Sequence, residues 1–226
     1  MNRPIMMCVV IAMVWMNVGL HDAAADRYEA SVSLRPLGAV GRITEHIADA
    51  SGGNASVASV YGVGGEIGLM YGLRNWLDVG GEFAGAGFAQ AIYDPATVAV
   101  TGSTTTGRLT RTTRLVQLRA GATLRFGVGW VPTIHLGLGV GGRALTAAML
   151  RDKAHAHTVV VTPDDMAARL AIDVIASLRV GIEHRLDRRW GVGLGAEATH
   201  AVGLGTPPLE VVSASMSLSY TWYPLL

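Results

Sequence analysis

The stretch that decides the fold runs from Val212 to Tyr223 and reads VSASMSLSYTWY. Every second residue is apolar or aromatic up to Trp222, and serine or threonine stands between them. Successive side chains of a strand point to opposite faces, so this period of two predicts a β-strand with one apolar and one small polar face. The apolar face carries Val212, Ala214, Met216, Leu218, Tyr220 and Trp222.

The same alternation is found in seven earlier runs, which brings the number of predicted strands to eight. In each run, apolar residues alternate with Gly, Ser, Thr and a few isolated charged residues. The runs are Tyr28–Arg35, Val57–Leu73, a third from Leu77 onward, Val116–Phe126, Ile134–Gly141, Leu170–Glu183 and Trp190–Glu197. The pattern predicts an all-β chain, and an even number of strands brings both ends of the domain to one side.

The predicted connections alternate in length. Short turns are expected at Arg74–Asn75, Gly127–Gly129 and Asp187–Arg189. Long polar segments are expected at Gly38–Ser56, Asp94–Gly107, Ala147–Met166 and Gly203–Leu209. Short turns on one side and long loops on the other are typical of transmembrane barrels, whose short turns are periplasmic.

The composition favours a membrane protein that lacks spanning helices. Only 15% of the 226 residues are charged, against about 25% in a typical soluble domain. The mean hydropathy is +0.36, yet beyond the N-terminus no apolar run approaches the roughly 20 residues of a membrane helix. A net charge of +1 argues against a nucleic-acid binder. Two classes remain, a lipid-facing barrel and a soluble protein with a large apolar core.

The N-terminus has the pattern of an export signal. Arg3 supplies a positive charge, the apolar segment Ile5–Leu20 follows, and Ala23–Ala25 offers the small residues that a signal peptidase requires. We expect cleavage after Ala25, with residues 1–25 as signal peptide and 26–226 as the barrel domain. Cys8 is the only cysteine and would leave with the signal, so we expect neither disulfides nor a catalytic thiol.

Three features favour the membrane barrel over the soluble one. The polar phase is mostly Gly, Ser and Thr, which suits the narrow interior of eight strands. The alternating apolar residues of each run cover enough of the sequence to form a tilted membrane strand, which needs about 9–11 residues. The tryptophans of the mature chain all flank short turns or end the last strand, as an interfacial aromatic girdle requires. They are Trp76, Trp130, Trp190 and Trp222.

With these features the chain resembles the small eight-stranded outer-membrane barrels of the OmpA transmembrane-domain and OmpX type. Its last strand, SMSLSYTWY, is similar to the C-terminal signal of that class, although Pro224-Leu225-Leu226 follow the aromatic residues. The resemblance implies a monomeric antiparallel up-and-down barrel in the outer membrane of a Gram-negative bacterium, without a cofactor. It also implies contact with outer-membrane lipid and lipopolysaccharide, and with the barrel-assembly machinery during biogenesis.

The inward phase carries charges, which are unfavourable in a closed interior unless they are paired. We therefore predict a salt-bridge network that plugs the barrel, with Glu66, Glu82 and Glu197 near Arg119 and Arg179. The same network would also suit a narrow or gated ion path. The predicted network contains Glu66, Glu82, Arg119, Arg125, Asp173, Arg179, Glu183 and Glu197.

Other candidate sites are weaker. A lipid-modifying enzyme would need a nucleophile, a base and an acid within hydrogen-bond reach, and His184 and His200, with nearby serines or Glu197, match no catalytic spacing. His155 and His157 form a His-x-His pair, but a specific metal site needs three or four ligands. We therefore expect no catalytic, cofactor or metal site.

The leading hypothesis is a structural or surface-interaction barrel whose extracellular loops form the contact surface. Arg108 and Arg114 would lie just above the apolar band, where arginines pair with lipopolysaccharide phosphates. The alternatives are a channel or transporter for small or hydrophobic solutes, a lipid-modifying enzyme, and a soluble lipocalin-like binder.

Overall fold

The protein is a closed antiparallel β-barrel in the computed structural model, which describes residues 28–45, 56–100, 103–127, 129–152, 158–161, 168–203 and 206–224. Eight long strands close the barrel, because the first and the last pair with each other. They are β1 (Ala30–Glu45), β2 (Ser56–Arg74), β3 (Leu77–Val100), β4 (Ser103–Arg125), β5 (Trp130–Leu145), β8 (Arg169–Arg185), β9 (Trp190–Gly203) and β10 (Thr206–Trp222). The predicted all-β, eight-stranded up-and-down architecture is confirmed. The predicted signal peptide, with its cleavage site, lies outside the described residues.

Two short strands, β6 (Ala148–Asp152) and β7 (Thr158–Val161), lie between β5 and β8. They extend the sheet beyond the barrel wall, because β6 pairs with β4 and β7 pairs with β6. Within the described part of the chain, no helix is long and apolar enough to cross a membrane.

The strand register fixes a narrow interior. A path of directly paired residues that leaves β1 at Val32 and circles the barrel returns to β1 at Arg42, ten residues further along. Eight strands with this stagger tilt by about 35–45° and leave room for side chains only. The path runs through Leu69, Gly81, Ala120, Leu138, Ala176, His200 and Glu210.

The strands are longer than the sequence pattern predicts. Parts of the segments expected as the loops Gly38–Ser56 and Asp94–Gly107 are strand instead: β1 reaches Glu45, and β3 and β4 stay paired as far as Val100 and Ser103. The expected long connection at Gly203–Leu209 is short, since β10 already begins at Thr206. The alternation of apolar and polar residues ends where neither face of a strand meets lipid. The backbone hydrogen bonds between neighbouring strands continue past that level. The period of two therefore underestimates strand length.

The barrel has an inverted distribution of polarity. Its outward side chains are apolar and exposed, with Leu170 at 82%, Ile172 at 78% and Val63 at 74% relative exposure. Its inward side chains include buried Glu, Asp and Arg residues. A continuous exposed apolar surface of this extent marks a surface that meets lipid or a partner rather than water.

The aromatic residues gather at the end that holds the short turns and the chain ends. Trp76 lies in the turn before β3, Trp190 begins β9 after another turn, and Trp222 ends β10. The Trp190 ring contacts Tyr220 at 5.0 Å between centroids, and Tyr220 lies 6.3 Å from Trp222. On the next turn the Trp130 ring stacks on His184 at 4.5 Å. The four tryptophans thus lie at one level.

Local backbone chemistry explains two of the turns. Gly127 and Gly129 have φ values of +87° and +79°, which a side chain would disfavour. In the β8–β9 turn the Asp187 carboxylate accepts hydrogen bonds from the backbone N–H groups of Arg189 and Trp190, at 2.6 and 2.7 Å. These contacts hold the pKa of Asp187 below its ordinary value.

Candidate functional site

The barrel interior contains a balanced ionic cluster at mid-height. We call it the central cluster, and it is formed by inward side chains of six strands. Its three cations are Arg35, Arg119 and Arg179, and its three anions are Glu66, Glu82 and Glu197. Because each carboxylate contacts more than one guanidinium, the buried charges compensate one another across the full width of the lumen.

Arg179 is the centre of the cluster. Its guanidinium donates to Glu66 at 2.7 and 2.8 Å, to Glu82 at 3.0 Å and, through Nε, to Glu197 at 2.7 Å. Arg119 binds Glu66 and Glu197 and lies 3.1 Å from Glu82. Arg35 binds Glu66 and Glu82.

His135 completes the cluster from β5. Its Nε2 atom lies 3.1 Å from Glu82, and its Nδ1 atom lies 2.9 Å from the Thr123 hydroxyl. A Cβ atom at Gly121 would lie 2.5 Å from this imidazole, and one at Gly139 would lie 2.9 Å from the side chain of Arg119. Glycine at these positions therefore makes the space that the large side chains fill.

The structure places the remaining predicted network residues elsewhere. Arg125 lies towards the turn end, where Nε is 2.7 Å from Asp78 and Nη1 is 3.4 Å from Glu183. Arg185 pairs there with Glu29. The interior charges therefore form separate layers along the axis rather than the single network that the sequence analysis expected.

Asp173 belongs to the opposite end of the lumen. It accepts a hydrogen bond of 2.9 Å from Arg143, which also donates to Thr206 at 2.8 Å. Both members of the pair are fully buried. Arg143 was not among the residues predicted from the sequence, although it follows His135 at an even spacing of eight on β5 and therefore faces the same way.

An apolar collar borders this pair, since its member Leu115 is the register partner of Arg143, and it was not predicted from the sequence. Phe88 of β3 and Leu115 of β4 are each 2% exposed and cluster with inward side chains of five other strands. The collar consists of Ala39, Val60, Phe88, Leu115, Ile175, Ala201, Leu209 and Val211. One signal was present: several strands carry two adjacent apolar residues here, as in Val60-Tyr61, Leu115-Val116 and Val211-Val212.

Two small cavities lie in the lumen below the collar. Two polar cavities of about 20 Å³ each lie beside His135 and beside Arg125. Such a volume accommodates roughly one water molecule. Ionic layers and an apolar layer therefore both occupy the described lumen.

The candidate catalytic residues do not come together. His200 faces outward, with Nδ1 3.8 Å from Glu210 Oε1, whereas Glu197 faces inward. The outward neighbours of His200 on β8 and β9 are Ala176, Ala198 and Val202, so no described serine lies beside it on that face. His184 instead lies near Gly129, 3.2 Å from its carbonyl oxygen.

Two further predicted features are only partly described. Arg114 is exposed on the outer wall of β4, whereas the side chain of Arg108 is outside the described set. His155 and His157 also lie outside the described residues. Among the described residues, no three His, Cys, Asp or Glu side chains are grouped in a way that would hold a metal ion.

The closed barrel, the outward apolar band and the charged lumen define a small eight-stranded β-barrel of the outer-membrane type, as the sequence resemblance implied. Solved structures of similar fold include OprG from Pseudomonas aeruginosa, at 11% identity over 89% of this chain and 100% of that chain, with a TM-score of 0.47. Ail from Yersinia pestis is 12% identical over 87% and 100%, with a TM-score of 0.44. Neisserial surface protein A is 12% identical over 83% and 96%, with a TM-score of 0.42. No protein-family model and no curated protein matches the sequence.

Proposed function

We propose that the protein is a bacterial outer-membrane barrel with a closed lumen and a structural or surface-interaction role. The observation that carries the proposal is the pair of different layers that fill the described lumen, the central cluster and the apolar collar. A charged layer alone would suit an ion path. An ion that crosses this barrel would also have to pass an apolar layer, which offers no compensation for its lost hydration.

The outer surface supports residence in lipid. Exposed apolar side chains cover the wall. The tryptophans lie at one end, where Trp and Tyr meet the membrane–water interface. We assign this end to the periplasm, because barrel turns there are short. The opposite end, with the β3–β4 hairpin and β6–β7, then faces the exterior and forms the contact surface.

Cell fractionation tests this proposal. We expect the protein in the outer-membrane fraction, extractable only with detergent, and we expect heat-modifiable migration on gels, since a closed barrel resists unheated detergent. A protein recovered in the soluble periplasmic or secreted fraction would contradict the proposal and would favour the lipocalin-like alternative. Migration that is identical before and after heating would contradict a closed barrel.

The proposed role does not include enzymatic activity. Hydrolysis of a lipid ester by a protein nucleophile needs a nucleophile within reach of its base, and the outward His200–Glu210 pair has no serine beside it among the described residues. Lipid A from cells that overexpress the protein should have an unchanged mass spectrum. New deacylated or newly acylated species, absent from an empty-vector control, would contradict this view.

A further inference from the structure

The outer wall of the barrel contains a groove that runs from mid-height towards the exterior end. It has a volume of about 930 Å³ and crosses β5, β8, β9, β10, β1 and β2. Ala176 and Ala198 lie in its middle, and Leu138 and Val212 rise beside them with 67% and 56% relative exposure. Small side chains between large ones create the depression, and its volume is at the upper end of the roughly 300–1,000 Å³ of sites that bury small ligands.

One end of this groove is polar, although it lies on the outward face. Arg42 and Glu210 are direct register partners on β1 and β10, and Glu210 and His200 are partners on β10 and β9. All three side chains are exposed and line the groove. Partners of this kind have Cβ atoms about 4.5–5.5 Å apart, so the three form one patch, which we call the polar rim.

The polar rim lies at the height of a membrane–water interface. Ala30, the register partner of Trp222, lies at the tryptophan end, and Arg42 follows twelve residues later on the same strand. Twelve residues extend roughly 40 Å along a strand, or about 30 Å along the axis at a tilt near 40°. The hydrocarbon layer is about 25–30 Å thick. The rim therefore lies at the lipid headgroups when the tryptophans lie at the opposite interface.

We propose that the groove binds one molecule of lipid A, with its acyl chains over Ala176 and Ala198 and its phosphorylated sugar on the polar rim. This proposal rests on the proposed function, because the rim reaches the outer leaflet only if the short turns are periplasmic. The guanidinium of Arg42 suits a phosphate. Glu210 and His200 suit sugar hydroxyls, which both donate and accept hydrogen bonds. A rim of mixed donors and acceptors fits such a headgroup better than that of a simple anionic phospholipid.

The test uses the full-length mature protein in phosphatidylcholine nanodiscs doped with hexa-acylated lipid A, and counts the lipid A retained per protein by native mass spectrometry. The double substitution Ala176→Leu with Ala198→Leu fills the groove, and Arg42→Gln removes the phosphate contact. We expect each to weaken retention by about tenfold or more; for Arg42→Gln this is the scale of one lost charged hydrogen bond, and the two leucines act by filling the space of the acyl chains. Ala120→Leu is the matched control, since Ala120 is exposed on β4, outside the groove, and should change retention less than twofold or so.

Equal retention by the wild type and both groove variants would overturn the proposal. Displacement of lipid A by an equal amount of phosphatidylglycerol would overturn it as well, because the headgroup would then not be recognised. Heat-modifiable migration checks that each variant is folded, and Arg42→Gln alters only an exposed side chain. If the wild type is absent from outer membranes, the proposed function fails; if it is present there and the variants bind equally, only the groove assignment fails.

Discussion

Arg179 and Glu66 face each other across the barrel from β8 and β2, with the guanidinium Nη2 2.8 and 2.7 Å from the two carboxylate oxygens. These strands are separated by three others in either direction around the barrel, so the two residues tie opposite walls together. Both are almost fully buried. Removal of one member leaves uncompensated charge on the others in a medium that solvates charge poorly.

Arg179→Gln should therefore lower the free energy of unfolding by about 3–5 kcal/mol. Urea titration of the refolded protein, followed by tryptophan fluorescence, measures the change. Arg188→Gln, in the exposed β8–β9 turn, is the control and should have little effect. The combined Arg179→Gln and Glu66→Gln variant should be less unstable than the sum of the single variants. Strict additivity would show that the two residues are not coupled.

Phe88→Ala should destabilise the barrel by about 3–5 kcal/mol, because it opens a cavity in the apolar collar. Phe83 on the same strand is the control, since it faces outward with 55% exposure. Surrounding detergent or lipid can fill the space that Phe83→Ala leaves, so its effect should be clearly smaller. Equal losses in the same urea titration would argue against an inward collar.

Gly139→Ala should destabilise the protein by about 1–3 kcal/mol through overpacking. The new Cβ would collide with the backbone of Leu118 and Arg119 on the neighbouring strand. Gly142→Ala on the same strand is the matched control, because nothing lies within 4 Å of its Cβ position. The midpoints of thermal unfolding of the two variants are compared. A midpoint for Gly139→Ala at or above that of Gly142→Ala would disprove the close approach of Gly139 to the neighbouring strand.

Lipids that carry bromine close to the headgroup should quench the fluorescence of Trp76, Trp130, Trp190 and Trp222 together. Lipids with bromine near the end of the acyl chain should quench them weakly, because an interfacial girdle lies away from the bilayer centre. The total fluorescence in brominated vesicles reports the answer directly. Strongest quenching by the deep label would place these residues at the middle of the membrane.

The β8–β9 turn should open in acid. Two backbone N–H groups hold the pKa of Asp187 below its ordinary value, so the ionised carboxylate stabilises the turn. That contribution is complete above the unfolded pKa of about 3.9 and is lost as pH falls through the lower folded value. Amide exchange at Arg189 and Trp190, corrected for the intrinsic rate, should speed up across this window. An Asp187→Ala variant should exchange rapidly at every pH, and a wild type without an acid step would refute the mechanism.

Much of the barrel is predictable from sequence because its outward face alternates strictly. Val212–Trp222 forms the lower part of β10, and Glu82 and Arg119, both expected inside, are register partners on β3 and β4. The alternation depends on lipid, so it is clear only where one face meets lipid. It ends above that level, which explains why the extensions of β1, β3 and β4 were expected as loops.

The apolar collar and the polar rim were harder to predict, for different reasons. At the collar both faces are apolar, so Leu115 and Val116 present no contrast that would separate inside from outside. At the rim, the pairing of His200 with Glu210 depends on the register of β9 against β10, where a bulge lies between Thr206 and Leu209. Such irregularities shift which residues are neighbours without leaving a signal in the periodicity.

The closed lumen is tested most directly by single-channel recording of heat-modifiable, purified protein in planar lipid bilayers. With the central cluster and the apolar collar both in place, we expect no reproducible unitary currents at moderate voltage. Reproducible unitary conductance from the wild-type protein, absent from a mock purification, would contradict the account and would establish the barrel as a channel.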